Sequence, residues 1–146
     1  MKPKLILGLM LIFSGVFANA ANTNTLRVVV IPSKTEVRVK EPFKVALRVE
    51  NPTATNQMVR VWSCSWYEEW KSSNANIYFG GWVCTRNFAY DLTIPAGGAY
   101  TNELVMLIPE LISEKTLSFR MCFTPIDSKQ TFWSNEVKLK IISSDK

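Results

Sequence analysis

Short runs of alternating apolar and polar residues recur along most of the chain, and they constrain its fold more than any other feature. The run Phe43–Glu50 reads FKVALRVE, which places its apolar side chains on one face of an extended strand. Thr35–Lys40 and Trp133–Ile142 alternate in the same way. No long apolar stripe with a helical period of 3.6 residues follows residue 20. The pattern therefore predicts an all-β domain of roughly seven to nine strands.

The remaining strands are expected at Leu26–Ile31, Met58–Trp62, Asn76–Cys84, Asn87–Ile94, Tyr100–Ile108 and Thr116–Thr124. The strand Asn76–Cys84 is expected to be short and interrupted by Gly80-Gly81. Pro95-Ala96-Gly97-Gly98 is a proline–glycine turn, so Asn87–Ile94 and Tyr100–Ile108 are predicted to pair with each other. Asn51-Pro52-Thr53 is predicted to form another turn.

Residues 1–20 have the pattern of a cleaved secretory signal peptide. Lys2 and Lys4 precede an apolar run of thirteen residues, Leu5–Phe17, and Ala18-Asn19-Ala20 has the small residues of a cleavage site. That run is shorter than the roughly 20 residues of a membrane-spanning helix, so permanent anchoring is the less favoured alternative. Cleavage leaves residues 21–146 as one domain and lowers the net charge from +5 to +3. We expect bacterial export to the periplasm or the extracellular medium.

Several segments resemble secreted bacterial immunoglobulin-like domains. They are the Asn51-Pro52 turn after FKVALRVEN, and the segments LTIPAGGAYTNEL, LSFRMCF and WSNEVKLKI. The resemblance covers most of the domain and lies in its strands and turns. It implies an antiparallel immunoglobulin-like β-sandwich used for adhesion, recognition or inhibition. It carries over no catalytic residue.

Three cysteines in an exported chain predict one disulfide and one free thiol. Cys64 with Cys84 is the favoured pairing, because it closes a loop of about twenty residues. Cys64 with Cys122 and Cys84 with Cys122 stay open as alternatives. No Cys-x-x-Cys motif is present, so we expect the bridge to be structural and Cys122 to be a small, partly buried residue.

The residue types present disfavour catalysis. The chain has no histidine, which excludes Ser-His-Asp and Cys-His nucleophiles and histidine-based metal sites. No Gly-rich phosphate loop occurs, and Glu68 and Glu69 are expected on a solvated loop rather than as an acid–base pair. No Lys/Arg cluster marks a nucleic-acid surface. We therefore predict a protein that is not an enzyme and that uses no cofactor or metal.

The stretch Trp62–Tyr90 is the distinctive part of the chain. It contains nine of the fifteen aromatic residues that follow the leader, together with Cys64 and Cys84. Ser65–Glu68 matches a capping box, so one helical turn is expected to put Trp66 and Trp70 on the same side. In one interpretation the rings form a second small core, with Trp62 and Trp82 buried. In the other, Trp66, Tyr67 and Trp70 stay exposed and bind a partner.

In the second interpretation the charged neighbours form a polar rim; they are Glu68, Glu69, Lys71 and Arg86. Rigid aromatic side chains dominate binding hot spots, so this stretch predicts a module that recognises a protein or peptide. A carbohydrate-binding protein, an inhibitor of an extracellular hydrolase and a structural envelope subunit are the alternatives. An open sheet edge is a second possible binding surface for the same class of partner.

Overall fold

The structure, a computed structural model, describes residues 26–110 and 113–142. The predicted signal peptide lies outside these ranges. Within them the chain forms twelve strands and one 3-10 turn, Trp66–Glu69. The strands are β1 (Arg27–Pro32), β2 (Glu36–Arg38), β3 (Phe43–Glu50), β4 (Gln57–Trp62), β5 (Trp70–Ser72), β6 (Tyr78–Phe79), β7 (Ala89–Ile94), β8 (Ala99–Leu107), β9 (Thr116–Phe119), β10 (Met121–Phe123), β11 (Phe132–Trp133) and β12 (Val137–Ile142). A search of the described ranges for a helix of membrane-spanning length and apolarity found none.

The strands form hydrogen-bonded sheets whose apolar faces share one core. The largest sheet has the order β1-β3-β8-β6, and the others are β11-β10-β5, β2-β12-β9 and the pair β4-β7. β2 and β12 pair in parallel, whereas the ladders of the largest sheet and the β4–β7 pair are antiparallel. The prediction of an all-β protein with antiparallel sheets is confirmed.

The alternation in the sequence decides which side chains enter the core. Phe43, Val45, Leu47 and Val49 of β3 are almost completely buried, as the pattern predicts. Leu117, Phe119, Met121 and Phe123 are equally buried from the other side of the core. Each side chain of this size contributes about 1.5–3 kcal/mol on burial, so these two rows hold the sheets together.

The strands are more numerous and shorter than predicted, because some predicted strands are divided into two that pair with different neighbouring strands. Thr116–Thr124 is divided at Arg120 into β9, which pairs with β12, and β10, which pairs with β5 and β11. The N–H of Arg120 donates to Ser73 Oγ (2.8 Å), and its C=O accepts from the N–H of Ser73 (2.9 Å). The predicted strand Trp133–Ile142 is divided in the same way between β11 and β12.

The predicted pairing of Asn87–Ile94 with Tyr100–Ile108 is wrong. β7 pairs with β4, from Gln57↔Ile94 to Trp62↔Ala89, whereas β8 pairs with β3. The two strands flank the Pro95–Gly98 turn but lie in different sheets. The turn is thus a corner between sheets rather than the tip of a hairpin.

Asn51 provides the physical reason for this corner. Its buried side-chain amide donates to the C=O groups of Thr55 (2.8 Å), Ile94 (3.0 Å) and Pro95 (3.0 Å). Its backbone N–H donates to Gly98 C=O (2.9 Å), and its C=O accepts from Gly97 N–H (2.9 Å). Gly97 has φ = +67°, a conformation that favours glycine. Asn51 therefore fixes the end of β7 and the start of β8 on the turn that follows β3.

The disulfide joins Cys64 and Cys84, with Cα atoms 6.1 Å apart, and this confirms the favoured pairing. Cys122 is the free cysteine and is buried on β10. The alternative pairings with Cys122 do not occur.

Candidate functional site: an aromatic flap

The aromatic stretch Trp62–Tyr90 is shared between the sheets and one irregular segment. β5 enters a sheet beside β10, and β6 pairs with the end of β8. Gly80–Phe88, which we call the flap, connects β6 to β7 outside the sheets. Nearly all of its residues are exposed, so the flap is the most accessible part of the stretch.

Asn87 attaches the base of the flap to the 3-10 turn. Its Oδ1 accepts from the backbone N–H groups of Cys64 (3.3 Å) and Ser65 (3.2 Å), and its Nδ2 donates to Ser65 Oγ. The predicted capping box does not form, because the Ser65 side chain makes no capping bond and instead bonds Asn87. The turn itself is present, although it is 3-10 rather than α-helical.

Aromatic contacts attach the middle of the flap. The centroid of the Trp82 ring lies 5.4 Å from the centroid of the Trp66 ring, in an edge-on arrangement. It lies 4.5 Å from the centroid of the Tyr67 ring. Tyr67 Oη also donates to Trp82 C=O (3.2 Å). With the disulfide at Cys84 and the bonds of Asn87, the flap is tied at three points along its length.

Gly81 lies directly under the ring of Tyr67. A Cβ atom at this position would overlap that ring, whereas a Cβ at Gly80 would meet Tyr78 at an ordinary 3.6 Å. The two adjacent glycines therefore have different roles. Gly81 is required for the close approach of the flap to Tyr67, and Gly80 is not.

Several large apolar side chains on and beside the flap face solvent. Val83 is 94% exposed, Phe88 62% and Trp82 41%, and Tyr78 on the preceding strand is 56% exposed. Charged side chains accompany them, since Glu68, Lys71 and Arg86 are all exposed. The arrangement is an apolar surface with charged neighbours on a braced backbone.

The structure places the three predicted binding aromatics in two different environments. Trp66 and Tyr67 are half-buried, and their rings support Trp82. Trp70 is 2% exposed and packs on Phe123 at 5.1 Å, so its predicted exposure is wrong. The physical reason is that Trp70 lies on β5 with its side chain in the core, not on the helical turn with Trp66. The predicted burial of Trp82 is also wrong.

Glu69 is buried and does not belong to a solvated rim as predicted. Its Oε1 accepts from the backbone N–H of Trp62 (2.5 Å), and its Oε2 has no hydrogen-bond partner among the residues that the structure describes. Burial raises the pKa of Glu69 to about 7; the Trp62 hydrogen bond opposes the rise, and Glu68 adds to it. Glu69 therefore closes the free edge of β4 rather than facing a ligand.

Sequence reasoning missed Val83, Phe88 and Tyr78 as exposed candidates. The sequence predicts Asn76–Cys84 as a short strand interrupted by Gly80-Gly81, whereas β6 is Tyr78–Phe79 and the next strand begins at Ala89. The chain leaves the sheet at the predicted interruption, and the described residues between that point and β7 form no strand.

No group of three or more His, Cys, Asp or Glu side chains in residues 26–110 and 113–142 is placed to hold a metal ion. The chemistry of the flap is that of a contact surface of aromatic, aliphatic and charged groups.

Comparisons with known proteins give no family for the chain. No protein-family model matches it, and no curated protein matches it. Among solved structures, it is similar to Pseudomonas fluorescens alkylpurine DNA glycosylase AlkC bound to DNA containing an abasic site analog. That match has 8% identity and a TM-score of 0.39, over 81% of this chain and 31% of that protein. At these values the similarity defines neither a fold family nor an activity.

Proposed function

We propose that this protein is an exported, non-enzymatic recognition module that binds a protein or peptide partner through the flap. We also infer an immunoglobulin-like arrangement of its sheets, which rests on the strand and turn resemblance. The leader pattern at residues 1–20 and the Cys64–Cys84 disulfide support export, because disulfides persist in oxidising compartments.

One observation supports the flap as the binding surface: its apolar side chains are exposed although its backbone is braced. Trp82, Val83 and Phe88 are exposed within one segment of seven residues, and concentrated exposed apolar surface usually marks an interaction site. The braces lower the entropy lost when the flap binds, which is the usual gain from preorganisation. Trp82 is the expected hot spot, since tryptophan is enriched among such residues.

The test begins with site-specific capture. A photo-crosslinking residue replaces Val83 in one protein and Trp133 in another, because Trp133 is an exposed aromatic residue on β11 and is not part of the flap. Both proteins are exported in cells, irradiated, and analysed for crosslinked partners. We expect a specific protein partner at position 83 and none at position 133.

Affinity measurements with the purified partner then test the residues. We expect Trp82→Ala and Val83→Asp to weaken binding about tenfold or more, which corresponds to about 1.4 kcal/mol per factor of ten. Trp133→Ala is the matched control and should bind as the wild type does. Equal capture at both positions, or unchanged affinity of both flap variants, would refute the proposal. Quenching of tryptophan fluorescence by a saccharide without any protein partner would instead support the carbohydrate alternative.

A further inference from the structure

The two edges of the four-stranded sheet differ in whether anything covers them. At the β1 edge, the N–H of Val30 donates to Asn135 Oδ1 (2.9 Å), and its C=O accepts from Asn135 Nδ2 (3.2 Å). Val28 forms a parallel bridge with Ser134 beside it. The side-chain amide of Asn135 thus acts as a short substitute for a neighbouring strand, and this edge is closed.

The direction of the backbone groups of β8 follows from the ladder it forms with β3. Hydrogen-bonded pairs recur every second residue in an antiparallel ladder. The bond from Asn51 N–H to Gly98 C=O places Gly98 in such a pair, so Tyr100, Asn102, Leu104 and Met106 also point their backbone groups towards β3. The backbone groups of Ala99, Thr101, Glu103 and Val105 consequently point away from β3.

Two residues of this outer edge show that it accepts a strand. β6 pairs antiparallel with it, through Tyr78↔Leu107 and Phe79↔Met106. The chain then leaves the sheet at Gly80 to form the flap. Among the described residues, no strand is paired with the outer side of Ala99–Val105.

The core is also incompletely sealed beside this edge. Tyr90 and Leu92 of β7 and Tyr100 of β8 pack against the core but stay half-buried. By contrast, the inward residues of β3 are almost completely buried. Tyr90, Leu92 and Tyr100 therefore keep part of their apolar surface accessible.

We propose that the outer edge of β8 at Ala99–Val105 binds an extended segment of a partner protein as an added strand. The segment supplies backbone hydrogen bonds to alternate residues of β8. Its inward side chains are apolar and cover Tyr90, Leu92 and Tyr100, and its outward side chains lie beside Thr101 and Val105. Val105 is itself a half-exposed apolar residue on the outer face.

The geometry favours a separate peptide segment over a second copy of this chain. The open stretch is bounded by β6 at one end and by the Pro95–Gly98 corner at the other. If β8 of a second copy paired antiparallel over the same stretch, its corner would have to occupy the position of β6. An extended segment of about seven residues fits between these limits. The flap begins at Gly80, next to the Val105 end of this stretch, and the proposal does not rest on flap binding.

The experiment uses the disulfide-bonded protein and a displayed library of nine-residue peptides with apolar residues at alternate positions. Selected peptides are synthesised, and amide hydrogen exchange is measured by NMR with and without each peptide. We expect the amides of Thr101, Glu103 and Val105 to exchange at least tenfold more slowly with peptide bound. The amides of Asn102 and Leu104 are internal controls, because they already bond to β3.

Proline substitution tests the same edge. Thr101→Pro removes an outward N–H without breaking a bond to β3, and edge positions tolerate proline. We expect this variant to lose at least tenfold in peptide affinity, whereas Thr101→Ala keeps the affinity of the wild type. Circular dichroism checks the fold of each variant, and the exchange measurement needs no variant.

Three results would overturn the proposal. They are the failure of any peptide to protect Thr101, Glu103 and Val105, equal affinity of folded Thr101→Pro and Thr101→Ala, and protection of these amides by self-association of the protein without peptide. Loss of binding to the captured flap partner in the Val83→Asp variant, with peptide binding retained, would show that the two sites are independent.

Discussion

The β1 and β8 edges belong to the same sheet, yet the molecule treats them differently. At β1 a single side chain, Asn135, bonds both the N–H and the C=O of Val30. At β4 the carboxyl group of Glu69 has a similar role, since it accepts the outward N–H of Trp62. Proteins usually cover, shorten or charge their sheet edges to prevent unwanted pairing. A polar side chain takes part in the closure of both edges, together with the Val28–Ser134 bridge at β1 and the bond from Ile126 N–H to Arg60 C=O at β4. β8 has no such closure among the described residues.

The largest loss of stability is expected from substitution of Asn51, the residue that holds the corner between β7 and β8. Asn51→Ala removes five side-chain hydrogen bonds, three of which run from the buried amide to the C=O groups of Thr55, Ile94 and Pro95. We expect the free energy of unfolding to fall by roughly 3–5 kcal/mol in urea titrations. Asn56→Ala is the matched control, because exposed Asn56 makes one bond to the same corner, to Ala96 N–H. A loss for Asn51→Ala no larger than that of the control would mean that Asn51 does not hold the corner.

The closure at β4 should depend on pH because it uses a carboxyl group. The pKa of Glu69 in the folded protein, about 7, lies above its ordinary value of 4.5. The folded protein therefore binds more protons than the unfolded chain between these values, and stability falls as pH rises through this range. We expect a loss of about 3 kcal/mol between pH 4 and pH 8.

Glu69→Gln has no charge to bury and should lose most of this pH dependence, so it becomes more stable than the wild type above pH 7. Glu68→Gln, at an exposed neighbouring position, should keep most of the dependence. Thermal unfolding at a series of pH values measures all three proteins. Parallel curves for the wild type and Glu69→Gln would contradict the interpretation.

A smaller effect is expected when the closed edge is opened. Asn135→Ala leaves the N–H and C=O of Val30 without their side-chain partners, which should cost about 1–2 kcal/mol of stability. Exchange of the Val30 amide should become at least tenfold faster, while Glu136→Ala, next in the chain, leaves it unchanged. The peptides selected on β8 can also be tested against this variant. If they then bind the opened β1 edge as well, the absence of a covering side chain, rather than the side chains of β8, decides where peptides bind.

Much of the fold was predictable because alternation reports directly which residues face a core. β3 has the predicted boundaries, and Val59 and Val61 are buried as expected. Pairing was less predictable, since a proline–glycine turn is compatible with both a hairpin and a corner between sheets. The choice depends on Asn51, which is 43 residues from its partner Ile94 in sequence.

At the candidate site too, features set by nearby residues could be predicted from the sequence, and features set by strands distant in the sequence could not. The disulfide and the position of the aromatic stretch were predicted from spacing and composition. The burial of Trp70 was not, because it depends on pairing between β5 and β10, which are about fifty residues apart. The exposure of Trp82 likewise depends on which rings already occupy the space beneath it.

The contrast between Gly81 and Val83 has a consequence for how such a protein can change its partner. A Cβ at position 81 would require the Tyr67 ring or the flap to shift, whereas the Val83 side chain is 94% exposed. Substitutions at position 83 should therefore perturb the fold less than substitutions at position 81. On the proposed function, specificity could then change by single-residue exchange at position 83 while the backbone that presents it stays fixed.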